Sequence, residues 1–251
     1  IHQNDSWMLH PNRWEHFKDK PDRHIVDIEG DWPNMEIPDF LSDTVMTAMD
    51  AYPKHRYWKI MIRPGMSHLI SDIIKRPPQT FDVYGRERKF IFMGQLDSFG
   101  LRERMIKALE LSGLPATVQV NRQWGARESA GTDFVNRYED AMRSHLFALV
   151  PCGEGISVRL IEACYYGCVP ILIDDHAPFG YGDCDLNFMH WMGAKLTEQE
   201  MARAFRMIFA EPNSEWRSEM ARSYFELYLR VYFADPTAYF FEWAQRRGII
   251  Q

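Results

Sequence analysis

His145-Leu-Phe-Ala-Leu-Val-Pro-Cys-Gly-Glu-Gly-Ile-Ser-Val-Arg-Leu-Ile-Glu-Ala-Cys-Tyr-Tyr-Gly-Cys-Val-Pro-Ile-Leu-Ile173 decides the fold. From Leu146 to Val150 the run is unbroken and apolar until Pro151 closes it, as in a strand buried on both faces. Gly153 and Gly155 follow, then a helical pattern from Ser157 to Tyr166 that ends at Gly167. Val169 to Ile173 is a second apolar run. Strand, short helix and strand make a βαβ unit, and that unit requires parallel strands.

The alternation extends upstream. Lys89 to Met93 reads as a strand ending at Gly94, and Leu101 to Leu111 as a helix closed by Gly113 and Pro115. Ala116 to Val120 reads as a strand and Phe134 to Arg143 as a helix. Nearer the amino terminus, His24 to Ile28 and Tyr57 to Ile62 read as strands. Asp39 to Ala51 reads as a helix with Asp39 as its cap. His68 to Lys75 reads as a helix behind Ser67, with Leu69, Ile70, Ile73 and Ile74 on its apolar side. Arg76-Pro77-Pro78 breaks the pattern and is read as the boundary between two lobes, 1–80 and 81–210. Thr197 to Arg247 reads as helical throughout, opening on the capping box Thr197-Glu-Gln-Glu200. Residues 211–251 would be a helical extension, its aromatic run from Tyr224 to Phe233 bracing both lobes.

At 251 residues, 46% hydrophobic and 25% charged, the chain has the composition of a globular protein able to bury its own core. A net charge of −6 argues against a dedicated nucleic-acid binder. No apolar run approaches the roughly 18–20 residues of a membrane span. No signal-peptide pattern follows Ile1, although a chain that opens without Met leaves an amino-terminal anchor or address open. Cys152, Cys164, Cys168 and Cys184 form no CxxC pair and read as small buried thiols. Their usage favours a reducing compartment such as the cytoplasm.

Ligands of parallel sheets sit beyond the carboxyl ends of the strands. A helix starting there offers free N–H groups and the positive end of its dipole, which suits phosphate. Gly153 and Gly155 let the backbone approach closely, and Ser157 adds a hydroxyl. Arg159 and Glu162 share a helix face about 4.5 Å apart along the axis, with Leu160, Ile161 and Cys164 on the apolar side. A guanidinium for a diphosphate and a carboxylate for ribose hydroxyls make a layout for a nucleoside diphosphate. The same spacing also fits an ordinary ion pair on a solvated helix. Other site chemistries match less well. The third glycine of a dinucleotide fingerprint is missing, and no Gly-Lys-Ser/Thr P-loop occurs. Gly155-Ile-Ser-Val-Arg159 resembles a nucleophile elbow with Asp174 or Asp175 and His176 downstream, but bulky Arg159 replaces its second glycine. Nine histidines show no tight zinc spacing.

Several motifs in order give the chain a resemblance. Tyr138 with Ala141-Met-Arg-Ser144, Phe147-Ala-Leu-Val-Pro151, Gly153-Glu-Gly155, Ser157-Val-Arg159-Leu-Ile-Glu162-Ala163 and Gly167-Cys-Val-Pro-Ile-Leu-Ile-Asp174 resemble the carboxyl-terminal motif of exostosin-family glycosyltransferases. Pro178-Phe179 is similar to that family's following Pro-Phe, and Phe90-Ile-Phe-Met-Gly94 with Arg102 or Arg104 to its upstream strand and basic helix start. The likeness covers about residues 88–187, and in compact build the chain resembles glycosyltransferases of large algal viruses. It implies an α/β protein of the GT-B fold, two Rossmann-like lobes with a short amino-terminal one. The amino-terminal lobe would face the acceptor and the second would hold the nucleotide-sugar. Carried over by residue, Ser157 and Arg159 would contact the diphosphate and Glu162 the ribose. Gly153, Glu154 and Gly155 would line the pocket, with Gly94 and Arg104 beside it.

The implied reaction is inverting transfer from a nucleotide-sugar to a hydroxyl of an oligosaccharide or glycoprotein. A UDP-linked donor is expected, with UDP-xylose as first choice. Arg159 and the helix dipole would neutralise the leaving diphosphate, so neither cofactor nor metal is expected. Candidate bases are Asp31, which is favoured, and Asp27, His68, Asp72 and Asp97. Asp183-Cys-Asp185 spells the Asp-x-Asp of metal-dependent glycosyltransferases of another fold, and within GT-B reads as a polar loop. Trp7, Trp14, Trp32, Trp58, Trp124 and Trp191 are candidate sugar-stacking platforms. The alternative function is a glycan- or nucleotide-sugar-binding module on the same fold without transfer. An epimerase would need a nicotinamide fingerprint, and none occurs.

Overall fold

A computed structural model describes residues 25–28, 45–48, 60–62, 68–77, 79, 81–96, 100–121, 131–152, 158–175, 186–246 and 248–249. Two parallel sheets run through them. The first joins β1 (Ile25–Ile28), β2 (Val45–Ala48) and β3 (Ile60–Ile62) in that order. Strand β2 corrects the helix expected over Asp39 to Ala51. Its Val45 and Thr47 are β-branched, and pairing on both sides, Val45 to Ile25 and Met46 to Ile60, overrides a weak helical pattern.

The second sheet has the spatial order β5-β4-β6-β7-β8, all parallel. Its strands are β4 (Glu87–Gln95), β5 (Ala116–Asn121), β6 (His145–Pro151), β7 (Val169–Ile173) and β8 (His190–Met192). Helices α2 (Leu101–Ser112), α3 (Gly131–Ser144) and α4 (Arg159–Tyr166) connect the first four in turn. The α/β architecture with parallel sheets is therefore as expected, and β8 is an added strand that the sequence reading passed over.

Alternation along the strands divides the core into two layers. Ile91, Met93, Ala148, Val150 and Leu172 face one layer, shared with α3 and α4. Phe90, Phe92, Leu149, Ile171 and Ile173 face the other, shared with α2 and α5 (Glu198–Phe209). The capping box at the start of α5 forms as expected: the Thr197 hydroxyl accepts the Glu200 N–H, and the Glu200 carboxylate accepts the Thr197 N–H. Helix α1 (His68–Lys75) belongs to the first layer, for Ile70 and Ile73 are fully buried with Ile91 and Leu160. Arg76 adds a forked bond to both Glu139 oxygens, each at 3.1 Å. The Pro77-Pro78 break thus adjoins a helix packed into the second sheet's core.

Beyond α5 come α6 (Ser214–Tyr224), a π-helical turn (Phe225–Leu229), α7 (Arg230–Ala234) and α8 (Pro236–Arg246). This region and α5 carry arginines that close the carboxyl ends of other helices. Arg206 on α5 donates to the Ser112 carbonyl at 3.2 Å, and Arg230 donates to Ile74 and Arg76 at 3.3 and 3.0 Å. Arg222 donates to the Tyr165 carbonyl. Cations suit helix carboxyl ends because the dipole is negative there. Arg230 accordingly braces α1 against the helical extension.

The described cysteines are unbridged; Cys164 and Cys168 are buried as expected, with their thiols pushed up by that burial, whereas Cys152 after β6 is only partly buried and Cys184 lies outside the described residues. His145 is buried at the start of β6, its Nε2 2.7 Å from the Thr117 hydroxyl and its Nδ1 2.8 Å from Ser144. Burial lowers its pKa below 6.5, and burial does the same for His190 beside Arg217. A lowered folded-state pKa means that the unfolded chain binds the proton more readily. Stability is then full above pH 6.5 and declines as pH falls toward the folded-state values. A melting temperature that drops between pH 7 and pH 5.5, with a shallower slope in His145→Asn, is the expected result. No helix among the described residues is long and apolar enough to cross a membrane.

Candidate nucleotide-sugar site

The chain lays β5 on one side of β4 and then crosses to lay β6 on the other, so the sheet reverses between β4 and β6. Open α/β sheets bind ligands in the crevice beyond the strand ends at such a reversal. Here that crevice lies between Gly94, near the end of β4, and the first turn of α4. Helix α4 begins at Arg159 with Val158 as its N-cap and no side-chain bond from that cap. Residues Gly153, Glu154, Gly155 and Ser157, expected to line the site, lie outside the described residues.

Arg159 crosses the crevice. Its Nη2 donates to the Met93 carbonyl at 2.9 Å, and its guanidinium carbon sits 4.9 Å from the centre of the Phe92 ring. Gly94 permits this approach, because a Cβ there would stand 2.6 Å from Nη2. A guanidinium is a planar fork of five N–H donors, the geometry that suits a diphosphate. The crevice therefore brings together two of the expected residues, Gly94 and Arg159, from segments far apart in sequence.

Glu162 corrects the expectation of a polar helix face. It is 1% exposed and accepts the Tyr138 hydroxyl at 2.5 Å. Every residue from Leu160 to Tyr166 is buried, since α4 is enclosed by the sheet, α3, α6 and the π-helical turn.

Arg104 also differs from expectation. Its two terminal nitrogens donate to Leu196 at 3.1 Å and Ala194 at 2.9 Å, pinning α2 to the β8–α5 loop. Arg102 instead reaches the end of β4, donating to the Gln95 carbonyl at 3.0 Å. The helix turn separates the two arginines, and only a guanidinium two residues earlier can fold back on the strand.

Asp174 is the residue at this rim to which the sequence reading gave no part in nucleotide binding. It is 1% exposed at the end of β7, and its carbonyl accepts the Trp191 indole N–H at 2.8 Å. A carboxylate directly after a fully apolar strand was the available signal. Trp191 itself leaves half its surface open on β8. Of the candidate bases, Asp31 and Asp97 lie outside the described residues, as do His176, Asp183 and Asp185. Asp27 is in β1, His68 opens α1, and Asp72 is exposed on α1. Among the described residues, no three His, Cys, Asp or Glu side chains group as metal ligands.

The reversal, the buried acid at α4 and the arginine drawn across the strand ends define a doubly wound α/β domain with a crevice at its switch point. The family model for the RXYLT1 C-terminal domain matches residues 77–218, more than half of the chain, which belongs to that exostosin-like glycosyltransferase family. No curated protein matches it. Among solved structures it is similar to the GtfA/B complex, at 13% identity and a TM-score of 0.43 over 68% of this chain and 38% of that one. It is similar to the glycosyltransferase VinC in complex with DTDP, at 14% identity and 0.38, over 81% of this chain and 48% of that one. AviGT4, a glycosyltransferase involved in avilamycin A biosynthesis, aligns at 11% identity and 0.37, over 84% and 75%. The chain thus spans less than half the length of the first two.

Proposed function

We propose that the chain transfers a sugar from a nucleotide donor to a glycan hydroxyl, with the donor's diphosphate held at the β4–β6 reversal. The observation that carries this reading is Arg159, placed across the strand ends by the first turn of α4 and admitted by Gly94. Family membership supplies the reaction class. Within that reading the fold is GT-B, with the first sheet, β1 to β3, on the acceptor side, while α1 packs with the second lobe.

The chemistry follows from charge. An acceptor oxygen attacks the anomeric carbon from the face opposite the nucleotide. A carbon–oxygen bond forms as the bond to the diphosphate oxygen breaks, and configuration inverts. The proton leaves the acceptor for a carboxylate base, for which Asp31 is our choice. Negative charge grows on the departing diphosphate, where Arg159 and the α4 dipole end stabilise it. That stabilisation requires no divalent ion, so turnover in EDTA should match turnover with magnesium. Glu162, fixed by Tyr138, would accept a ribose hydroxyl, and half-exposed Trp191 offers a ring at the same rim. We assign the donor as UDP-linked and name UDP-xylose first.

Thermal shift against UDP, GDP, UDP-xylose and other UDP-sugars tests the reading. At a ligand concentration about a hundred times Kd, stabilisation of about 2.7 kcal/mol is expected, readily seen as a higher melting temperature. A flat response to every nucleotide would overturn the proposal. Binding without transfer to any glycan would leave the non-catalytic module as the correct description.

A further inference from the structure

A second cavity, of about 480 Å³, opens where the strands of the second sheet begin, between the segment leading into β4 and one face of α6. It opens at the other end of the sheet from the Arg159 crevice, with the length of β4 between the two mouths. Phe81, Asp82 and Tyr84 form one wall, and Glu219, Arg222 and Glu226 the other.

The wall is a built feature. Asp82 Oδ1 accepts the N–H groups of Tyr84 and Gly85 at 3.0 and 3.1 Å, fixing a tight turn that holds Tyr84 out. The Tyr84 ring is 70% exposed, yet its hydroxyl donates across the groove to Glu219. Arg222 forms the floor, its guanidinium 4.9 Å from both the Phe81 and Tyr165 rings. It donates to the Gln79 carbonyl at 2.7 Å and pairs with Glu226. Glu226 also receives Arg230 and lies in the π-helical turn, a rare conformation that gathers at functional sites.

These commitments define what the cavity can take. Its one lining cation is bound to carbonyls and a carboxylate, and three carboxylates surround it, so an anion is disfavoured. Glu226 is paired with Arg222 and Arg230, whereas Asp82 and Glu219 accept from neutral donors, backbone N–H groups and the Tyr84 hydroxyl. Carboxylate oxygens accept pairs of hydroxyls, and an exposed aromatic face packs on sugar C–H groups. We propose that this cavity is a second carbohydrate subsite that binds a neutral pyranose unit of a glycan. It rests on the glycosyl-transfer reading only for its role, as an anchor for the acceptor away from the reacting end.

Titration of the intact chain with xylobiose, cellobiose and lactose, followed by NMR, tests the inference, with glucuronate and trilysine as comparators. A neutral disaccharide should bind in the millimolar range and lose about tenfold in affinity in Tyr84→Ala, and also in Glu219→Gln. Tyr84 is largely exposed, so an unchanged melting temperature should accompany the loss. Arg159→Ala should leave sugar binding intact, and Tyr84→Ala should leave UDP binding intact, which separates failure here from failure of the donor site. Absence of neutral-sugar binding, binding that survives Tyr84→Ala, or Tyr84-dependent binding of trilysine instead would each overturn it.

Discussion

Arg159→Ala is expected to lower sugar transfer, measured as UDP release, by about 10²–10³-fold, the usual loss when one donor to a developing anion is removed. The fold should survive. The side chain's bond to the Met93 carbonyl lies at the rim of the sheet, and its stack on Phe92 is worth about 0.5–2 kcal/mol. Arg159→Lys should rescue little, because an ammonium can neither lie flat on Phe92 nor offer a forked pair of donors to a diphosphate. Wild-type turnover in either variant would remove Arg159 from the mechanism.

Gly94→Ala should separate activity from stability. The new Cβ would meet Arg159 Nη2 at 2.6 Å, while its next neighbour, the tip of the Phe92 ring, stands at 3.4 Å. The obstructing atom is the end of a flexible side chain, so the guanidinium moves and the backbone stays. A displacement of about 1 Å at a reacting centre costs on the order of 100-fold in rate. The expected outcome is a strong fall in kcat/KM with a melting temperature within a few degrees of wild type. A large drop in melting temperature with kcat/KM unchanged would show that Gly94 serves packing and not Arg159.

The parallel sheet and its helices were legible because residues 87–173 keep a strict rhythm of apolar runs and glycine stops. Gly113 and Gly167 close α2 and α4 in the left-handed conformation expected of them. Strand β8 was not legible, since His190-Trp-Met192 is too short to carry a period and gains its identity from pairing with β7. Nor was β2, whose four residues are defined by two neighbours distant in sequence. At the site, spacing placed Arg159 and Glu162 on one face, but a helical wheel cannot show what lies on its other side. Glu162 points to Tyr138, a partner 24 residues away. The signal was present in Ala163-Cys-Tyr-Tyr166, since a helix apolar all round is buried all round. Arg104 and Arg102 differ by two residues, and only tertiary packing says which one turns toward the strand.

The family match stops at residue 218, inside α6. Physical dependence does not stop there. Phe225 meets the ring of Tyr165 at 5.1 Å and Tyr224 meets Phe188 at 4.9 Å. Arg222 and Arg230 seal two helix ends farther upstream. The matched region is thus smaller than the cooperative one. A fragment trimmed to the matched borders would bare the rear of α4, and the crevice would lose its footing before any of its own atoms were touched.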